Sequence, residues 1–285
     1  MPELPEVETT RRGIAPHIQG RKVLSLIVRQ PSLRWPIPAD LPSRLAGKTL
    51  LDLDRRGKYL LLRFGSDTGG SDPGGSDPGG SGTALIHLGM SGSLRIAQPD
   101  EPAGVHDHFD LVFKECVLRY RDPRRFGCLL WTDQAVQEHP LLSHLGPEPL
   151  SDNFDANYLF QRSRKRRLPV KQFLMDSKIV VGVGNIYANE ALFLTGVKPI
   201  RKAGTLTRKE CERLVENIKQ VLQRAIVQGG TTLRDFIGGD GQPGYFAQEL
   251  LVYGRGGLAC PTCERALKEV RMNNRSTVYC VSCQR

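Results

Sequence analysis

Short apolar stretches that alternate with polar residues dominate the first half of the chain. Seven such runs lie at residues 22–29, 48–54, 58–64, 84–88, 92–97, 108–113 and 116–120, with turn residues between them. Alternation with a period of two is typical of strands that bury one face. The runs therefore predict an antiparallel sandwich or barrel rather than a parallel α/β sheet.

Helical patterns precede this strand-rich region and follow it. Residues 3–18 predict an N-terminal helix with one apolar face. The clearest helical stripe covers residues 207–227, which begin at a T-x-x-E capping box and end before two glycines. A further helix is expected from about residue 185 to 194, after a glycine turn. Strands followed by helices indicate a multidomain α+β protein.

Composition changes along the chain predict the domain organisation. Residues 66–82 read SDTGGSDPGGSDPGGSG, which predicts a flexible insertion between two strands without a specific function. We expect four segments: an N-terminal sandwich domain at 1–133, a linker at 134–150, a helical domain at 151–250 and a cysteine-bearing module at 251–285.

The charge balance points to a polyanionic partner. The chain has 40 Lys and Arg against 30 Asp and Glu, a formal charge of +10. Nucleic acid is the first candidate, although a basic enzyme of another kind would have the same balance. A hydrophobic content of 39% argues against a disordered chain. No long apolar run and no secretory signal are present, so we expect a cytoplasmic protein without a membrane partner.

Four of the seven cysteines form two Cys-x-x-Cys pairs near the C-terminus. Cys260 and Cys263 are followed, after sixteen residues, by Cys280 and Cys283. This spacing suits one tetrahedral Zn²⁺ ion bound by two hairpin knuckles, with a redox pair or free thiols as the alternative. Four thiolates leave no open coordination position, so the zinc would be structural. The other three cysteines lie on apolar runs and are expected to be buried.

Three further motifs could bind phosphate or DNA, and each has a simpler interpretation. The basic run at 162–167 could neutralise phosphates or form a solvated linker. The glycine turn at 182–187 could offer backbone amides to a phosphate, but such turns are common. The turn at 120–126 could present Phe126 as a wedge between bases, or could bury it.

The N-terminus offers an unusual nucleophile. If Met1 is removed, Pro2 becomes a free secondary amine, and α-amino groups have a pKa of about 8, far below that of lysine. Such an amine can attack a carbonyl or a sugar C1′ and form an iminium. Glu3 is its immediate neighbour and could transfer protons.

Together these motifs resemble the formamidopyrimidine-DNA glycosylases, bacterial enzymes that remove oxidised purines. The resemblance covers essentially the whole chain, with the insertion at 66–82 as the one plain departure. It rests on the following motifs in one order: Pro2-Glu-Leu-Pro-Glu-Val-Glu-Thr, Arg55-Arg-Gly-Lys-Tyr, His87-Leu-Gly-Met-Ser-Gly-Ser, His106-Asp-His, Asp122-Pro-Arg-Arg-Phe-Gly, Leu145-Gly-Pro-Glu-Pro, Val181-Gly-Val-Gly-Asn-Ile-Tyr, Gln228-Gly-Gly-Thr-Thr, Pro243-Gly-Tyr-Phe-Ala-Gln and the four cysteines.

The resemblance implies a fold and a reaction. The fold would be an N-terminal antiparallel β-sandwich flanked by helices, a helical domain with a helix–two-turn–helix element, and a C-terminal zinc-finger β-hairpin, with DNA in the cleft between the two halves. The reaction would flip the damaged nucleotide out of the duplex, excise the base and cleave the abasic site by β,δ-elimination through a Schiff base.

Catalytic roles follow from the resemblance for four residues. Pro2 would be the nucleophile, and Glu3 would protonate and open the sugar. Lys58 matches a strand lysine near the reacting sugar and phosphate that is implicated in proton transfer. Arg275 matches the finger arginine that grips phosphates beside the lesion and is linked to elimination.

The resemblance also implies DNA contacts. Met90, Arg124 and Phe126 match the trio that fills the hole left by the flipped base; Phe126 would wedge into the stack, and Arg124 would contact the orphaned base, expected to be cytosine. Residues 234–250 match a mobile loop that can close over the flipped base. Four residues match contacts to the DNA backbone: His106, Arg166, where the family often has lysine, Lys171 and Asn185.

Two other functions remain open at this point. An endonuclease VIII-like glycosylase for oxidised pyrimidines would share Pro2, Glu3 and the fold. A non-catalytic zinc-finger DNA-binding protein would share the charge and the cysteines, but would not need Pro2 beside Glu3. In each case the expected partner is DNA, damaged duplex DNA for the enzymes, and we expect a monomer with no small-molecule cofactor.

Overall fold

The computed structural model describes residues 2–66, 81–230 and 249–285. The described chain divides into two compact units. The first holds Pro2 and Glu6–Ser143, together with residues 229–230. The second holds Glu3–Pro5, His144–Gln228 and residues 249–285. The expected domain boundaries at 133, 150 and 250 stay predictions.

The first unit is built largely from strands. Helix α1 (Leu4–Ile18) leads into it, and one short helix, α2, follows the first strand. The remaining elements, in chain order, are β1 (Ser25–Val28), α2 (Leu41–Leu45), β2 (Thr49–Arg56), β3 (Tyr59–Gly65), β4 (Gly82–His87), β5 (Ser93–Ala97), β6 (Asp107–Val112), β7 (Val117–Arg121), β8 (Cys128–Thr132) and a 3-10 turn at Val136–Glu138.

These strands form two four-stranded sheets, in the orders β1-β6-β7-β5 and β2-β3-β4-β8, and every adjacent pair is antiparallel. Buried side chains of both sheets belong to one apolar cluster, for example Phe109 of the first sheet and Phe64 of the second. Helix α1 adds Val7, Ile14 and Ile18 to the same cluster. The predicted antiparallel sandwich is therefore confirmed. Because α1 buries these three side chains in the sandwich core, the apolar face predicted for residues 3–18 is explained.

One strand of the sandwich was missed. Strand β8 reads CLLWT, an almost continuous apolar run without the alternation that several of the other strands show. It pairs with β4 along its whole length, from Thr83↔Thr132 to His87↔Cys128. A short apolar run of this kind cannot be distinguished from a buried helical segment by periodicity alone.

Strands β3 and β4 form an antiparallel pair that extends to Phe64↔Gly82. The expected flexible insertion joins these two strands, but its residues 67–80 lie outside the described residues, as do residues 234–248 of the expected mobile loop.

Shortening the 66–82 insertion to a tight turn should leave the base excision that the resemblance implies unchanged within a few fold. The free energy of loop closure depends only weakly on length, by about 0.6 kcal/mol for each doubling, so thermal stability should change little. Single-turnover excision and thermal unfolding of the shortened protein check this. A more than tenfold loss of activity in a well-folded protein would give the segment a function.

The second unit is mainly helical. Its elements are α3 (Ala156–Ser163), α4 (Val170–Leu174), α5 (Asn185–Thr195), a 3-10 turn at Ala203–Thr205, α6 (Arg208–Val227), β9 (Lys268–Met272) and β10 (Arg275–Tyr279). The predicted capping box is present, because Thr207 Oγ1 accepts from Glu210 N and the Glu210 carboxylate accepts from Thr207 N. The prediction for this helix is confirmed to within one residue.

A C-terminal hairpin completes the second unit. Strands β9 and β10 pair in register from Arg275↔Met272 to Tyr279↔Lys268. The two-residue turn Asn273–Asn274 has φ values of 47° and 58°, which asparagine tolerates better than most residues. Val278 of the hairpin and Phe193 of α5 share a small apolar cluster with two of the cysteines. The hairpin therefore packs against α5.

None of the helices within residues 2–66, 81–230 and 249–285 combines the length and the apolar character that a membrane crossing requires.

Candidate active-site residues

Glu3 is held at the N-terminus of α5. Its side chain is 2% exposed, and its carboxylate accepts hydrogen bonds from the amides of Gly184 at 2.9 Å, Ile186 at 3.0 Å and Tyr187 at 3.5 Å. The helix N-terminus favours negative charge at this point. A Cβ on Gly184 would lie 2.2 Å from the Glu3 carboxyl carbon, so glycine is required here.

The glycine turn therefore binds a carboxylate of the chain itself. The expectation that its amides face a phosphate is wrong for these three amides, because Glu3 occupies them. Sequence reasoning could not find this contact, since Glu3 and Gly184 are 181 positions apart.

Lys171 lies inside the second unit. Its side chain is 2% exposed, and its Nζ donates to the carbonyl of Ser276 and to Thr277 Oγ1, both at 2.7 Å, on β10. Burial lowers the pKa of Lys171 to about 8; nearby Glu3 acts in the opposite direction, and Arg275 lowers the pKa further. The direct phosphate contact expected for Lys171 stays a prediction.

Arg275 is the first residue of β10 and is exposed. It lines a cleft of about 210 Å³ together with Lys171, Gln172, Met175 and Met272, among others. The cleft lies between α4 and the turn of the hairpin.

The middle of α5 and the segment after residue 249 form a second buried contact in this unit. The Glu190 carboxylate accepts from the amides of Leu251 at 2.8 Å, Val252 at 3.0 Å and Tyr253 at 2.8 Å. Burial raises the pKa of Glu190, and these three amides oppose the rise.

Asn185, an expected DNA contact, is the first residue of α5; its side-chain oxygen is buried and lacks a hydrogen-bond partner in the described chain.

Lys58 lies in the turn between β2 and β3. The sequence pattern predicted a strand that begins at Lys58, whereas β3 begins one residue later, at Tyr59. The turn is fixed by Arg55, whose guanidinium donates to the carbonyl of Gly57 at 3.0 Å and to Glu8 of α1 at 3.1 Å. Burial alone would raise the pKa of Glu8, but hydrogen bonds from Arg11 and other arginines lower it to about 2. Glu8 therefore stays charged and ties α1 to the turn.

His87 stands beside this turn. It pairs with Tyr59 across β3 and β4, and their rings lie 4.8 Å apart. Burial lowers the pKa of His87 to about 4, and the charges of Lys58 and Arg34 contribute in the same direction. The ring is neutral at pH 7, and its Nδ1 accepts from the amide of Gly89 at 2.9 Å.

Three side chains that the resemblance assigns to base recognition are exposed on the first unit. Met90 is 39% exposed and Phe126 is 45% exposed. The Arg124 guanidinium carbon lies 4.8 Å from the centre of the Phe126 ring. The alternative that this turn buries its phenylalanine is wrong.

The remaining expected DNA contacts are separated between the units. His106 of the first unit is half-buried. Arg166 of the second unit is exposed, in the turn that follows α3.

The four C-terminal cysteines form a cluster suited to a metal. Their Sγ atoms all lie within 4.8 Å of one another, with Cys260 and Cys283 at 3.9 Å and Cys263 and Cys280 at 3.4 Å. A tetrahedral Zn²⁺ with Zn–S bonds of about 2.3 Å requires sulfur atoms about 3.8 Å apart. The cluster therefore fits zinc.

The other three cysteines are buried, and burial raises the pKa of the Cys128 and Cys211 thiols to about 11, so both are protonated at neutral pH.

Replacing Cys280 with serine should abolish zinc binding by this cluster and disorder the β9–β10 hairpin. Three ligands hold a tetrahedral ion poorly, and the hairpin has a small core of its own. The DNA affinity and strand cleavage that the resemblance implies should fall together, because the hairpin carries Arg275. Metal content and binding to a duplex are the measurements. Near-normal cleavage by a metal-free protein would contradict this prediction.

Comparison with known proteins follows the same division of the chain. The family model described as the formamidopyrimidine-DNA glycosylase N-terminal domain matches residues 1–129. The model described as the formamidopyrimidine-DNA glycosylase H2TH domain matches residues 145–237.

Relatives and solved structures match along the full length. A formamidopyrimidine-DNA glycosylase of Cellvibrio japonicus is 64% identical over 284 residues and covers 100% of both chains. The crystal structure of the MutM (Fpg) protein of Thermus thermophilus superposes with a TM-score of 0.85 at 37% identity, covering 99% of this chain and 98% of that one. The Lactococcus lactis Fpg protein, solved with DNA containing N7-benzyl-Fapy-dG, gives a TM-score of 0.88 at 32% identity and full coverage of both.

The sandwich, the helical unit and the cysteine hairpin define a DNA glycosylase that is also a lyase for abasic sites. The chain belongs to the formamidopyrimidine-DNA glycosylase family. It is a base-excision-repair enzyme that acts on oxidised purines, and neither the pyrimidine-specific nor the non-catalytic alternative is favoured.

Proposed function

We propose that the amine of Pro2 is the nucleophile for both steps of the reaction, on 8-oxoguanine and formamidopyrimidines in duplex DNA. The arrangement of Glu3 carries this proposal: the residue next to Pro2 is a buried carboxylate, fixed by three amides at the start of α5. A carboxyl group held in this way keeps a constant position relative to the amine that precedes it in the chain.

The first step removes the base. The damaged nucleotide is flipped out of the duplex, and the unprotonated fraction of the Pro2 amine attacks C1′. The new N–C1′ bond replaces the bond to the base, which leaves as an anion and takes a proton from water. The Glu3 carboxylate accepts the proton that the Pro2 nitrogen loses and passes it to the ring oxygen of the sugar, so that the ring opens and a Schiff base joins Pro2 to the opened sugar.

The second step breaks the DNA strand. β-Elimination releases the 3′ phosphate, and δ-elimination then releases the 5′ phosphate, which leaves a one-nucleotide gap with phosphate at both ends. Lys58 transfers protons near the reacting sugar. Arg275 grips the phosphates beside the lesion, and its position at the start of β10 supports this role.

DNA is held by two groups of residues. The exposed trio Met90, Arg124 and Phe126 fills the space that the flipped base vacates, and Arg124 contacts the orphaned cytosine. A formal charge of +10 supports binding through the phosphates. Four residues supply contacts to the DNA backbone: His106, Arg166, Lys171 and Asn185.

The four cysteines hold one structural Zn²⁺, which leaves no position for substrate and takes no part in the chemistry. We assign the enzyme to the cytoplasm as a monomer that needs no small-molecule cofactor.

Borohydride trapping tests the proposal. Wild-type protein should form a covalent complex with a duplex containing 8-oxoguanine opposite cytosine, and peptide mapping should place the link at residue 2. A duplex with thymine glycol should be trapped more slowly. Preferential trapping on thymine glycol would indicate the pyrimidine enzyme, and absence of trapping on any abasic duplex would indicate a DNA-binding protein without this chemistry.

A further inference from the structure

Two adjacent loops of the first unit carry the exposed trio. Residues 88–92 present Met90, and residues 122–127 present Arg124 and Phe126. Neither loop belongs to a strand, so pairing within the sheets does not fix either of them. One buried carboxylate is hydrogen-bonded to both loops.

That carboxylate is Asp122, whose side chain is 0% exposed. Its Oδ1 accepts from Ser91 Oγ at 2.7 Å and from the Arg124 amide at 3.3 Å. Its Oδ2 accepts from the Tyr120 hydroxyl at 3.0 Å and from the Gly127 amide at 2.9 Å. One side chain thus links the Met90 loop, the strand β7 and both ends of the Arg124–Phe126 segment.

The main chain of Asp122 reaches a third DNA-contacting position. Its amide donates to the carbonyl of His106 at 3.0 Å, and its carbonyl accepts from His108 Nε2 at 2.7 Å. The segment that carries His106 is therefore attached to the same residue.

Close packing leaves these loops little freedom. A Cβ on Gly127 would lie 1.8 Å from the Tyr120 hydroxyl oxygen, and a Cβ on Gly89 would lie 2.4 Å from the main chain of Phe126. Arg125 has a φ of 56°, which is unusual for a residue with a long side chain. Burial raises the pKa of Tyr120, so its hydroxyl stays a donor to Asp122. A conformation of this kind persists only where its surroundings hold it.

Only a carboxylate satisfies this arrangement. Its two oxygens accept from four donors, and all four are uncharged groups of the described chain. An asparagine side chain has the same shape but carries one oxygen and one NH2 group. In either orientation the NH2 group would face a backbone N–H, that of Arg124 or that of Gly127. Asp122→Asn therefore removes the support of one loop or the other while it keeps the volume.

We propose that Asp122 is a positioning residue that sets the specificity for the base opposite the lesion. It holds the Met90 loop against the Arg124–Phe126 loop, so that the Arg124 guanidinium meets the orphaned base in one orientation. This inference rests on the proposed function, because it takes the role of Arg124 from there.

Opposite-base discrimination is the readout, measured as the ratio of single-turnover excision rates for 8-oxoguanine opposite cytosine and opposite adenine. A well-placed contact to a base edge is worth roughly tenfold or more in discrimination. We expect Asp122→Asn to lower the ratio by about this factor.

Asp110→Asn is the matched control. Asp110 lies on β6 and is similarly buried in the first unit, but its carboxylate binds Arg119 and Arg29 and contacts neither loop. This variant should lose thermal stability and keep the wild-type ratio. An unchanged ratio in folded Asp122→Asn, or an equal fall in both variants, would overturn the inference.

Ser91→Ala decides the matter if Asp122→Asn does not fold. It removes two hydrogen bonds between the loops, from Ser91 Oγ to Asp122 Oδ1 at 2.7 Å and from the Arg124 amide to Ser91 Oγ at 3.3 Å, and should lower the ratio at least about threefold. An unchanged ratio would count against the inference. Wild-type protein that is not trapped, or that does not prefer cytosine, would refute the proposed function instead, so the two failures are distinguishable.

Discussion

Protein that retains any residue before Pro2 will have neither glycosylase nor lyase activity. In that protein the Pro2 nitrogen is part of an amide, whose lone pair is delocalised into the carbonyl and cannot attack C1′. Excision and cleavage should fall below detection, whereas affinity for a damaged duplex should remain close to that of the mature enzyme. Quantitative cleavage assays and duplex binding on the same preparations provide the measurement.

Two comparisons sharpen this experiment. A short peptide tag before Pro2 blocks the amine, whereas the same tag placed after Arg285 leaves the Pro2 amine free and should preserve activity. Pro2→Gly keeps a free amine, but a primary one on a more flexible backbone, so it should react more slowly and still be trapped at residue 2. Full activity in the N-terminally tagged protein, or a cross-link mapped to Lys58, would overturn the assignment of Pro2.

Local patterns were enough to predict most of the architecture. Short apolar runs between turn residues, several of them alternating with polar residues, located seven of the eight strands of the sandwich, and Thr207 with Glu210 located the start of α6. Such signals depend on neighbouring residues, which is why they can be read from one sequence. The short helices α3 and α4 were not predicted. Tertiary packing supports them more than any periodic pattern does, and both are eight residues or shorter.

The supporting contacts of the candidate site could not be predicted in the same way. Glu3 binds amides 181 to 184 positions away, and Lys171 binds β10 more than a hundred positions away. The Asp122–Ser91 bond spans 31 positions. No local pattern records such pairs. The resemblance pointed to the residues, but only the structure gives Lys171 its buried partners and Asp122 its four donors.

Replacing Glu3 with glutamine should separate the two activities. The variant loses the proton that opens the sugar, and one of its two side-chain groups becomes an NH2 that faces the amides of Gly184 or Ile186. Loss of a general acid costs at least about 100-fold, so excision of 8-oxoguanine should fall by that factor or more. Elimination at a preformed abasic site should survive in part, because the sugar there already has an open aldehyde form that the Pro2 amine can attack.

The decisive quantity is therefore the ratio of the rate of 8-oxoguanine excision to the rate of elimination at a preformed abasic site, both measured in single turnover on the same variant. Glu190→Gln is the matched control, since Glu190, which lies on α5, is likewise a buried carboxylate that accepts from three backbone amides. It should lower stability in a similar way and change both rates by the same factor, leaving their ratio at the wild-type value. If Glu3→Gln also leaves the ratio unchanged, Glu3 acts only by holding the N-terminus against α5, and the proton donor for the first step must be another group.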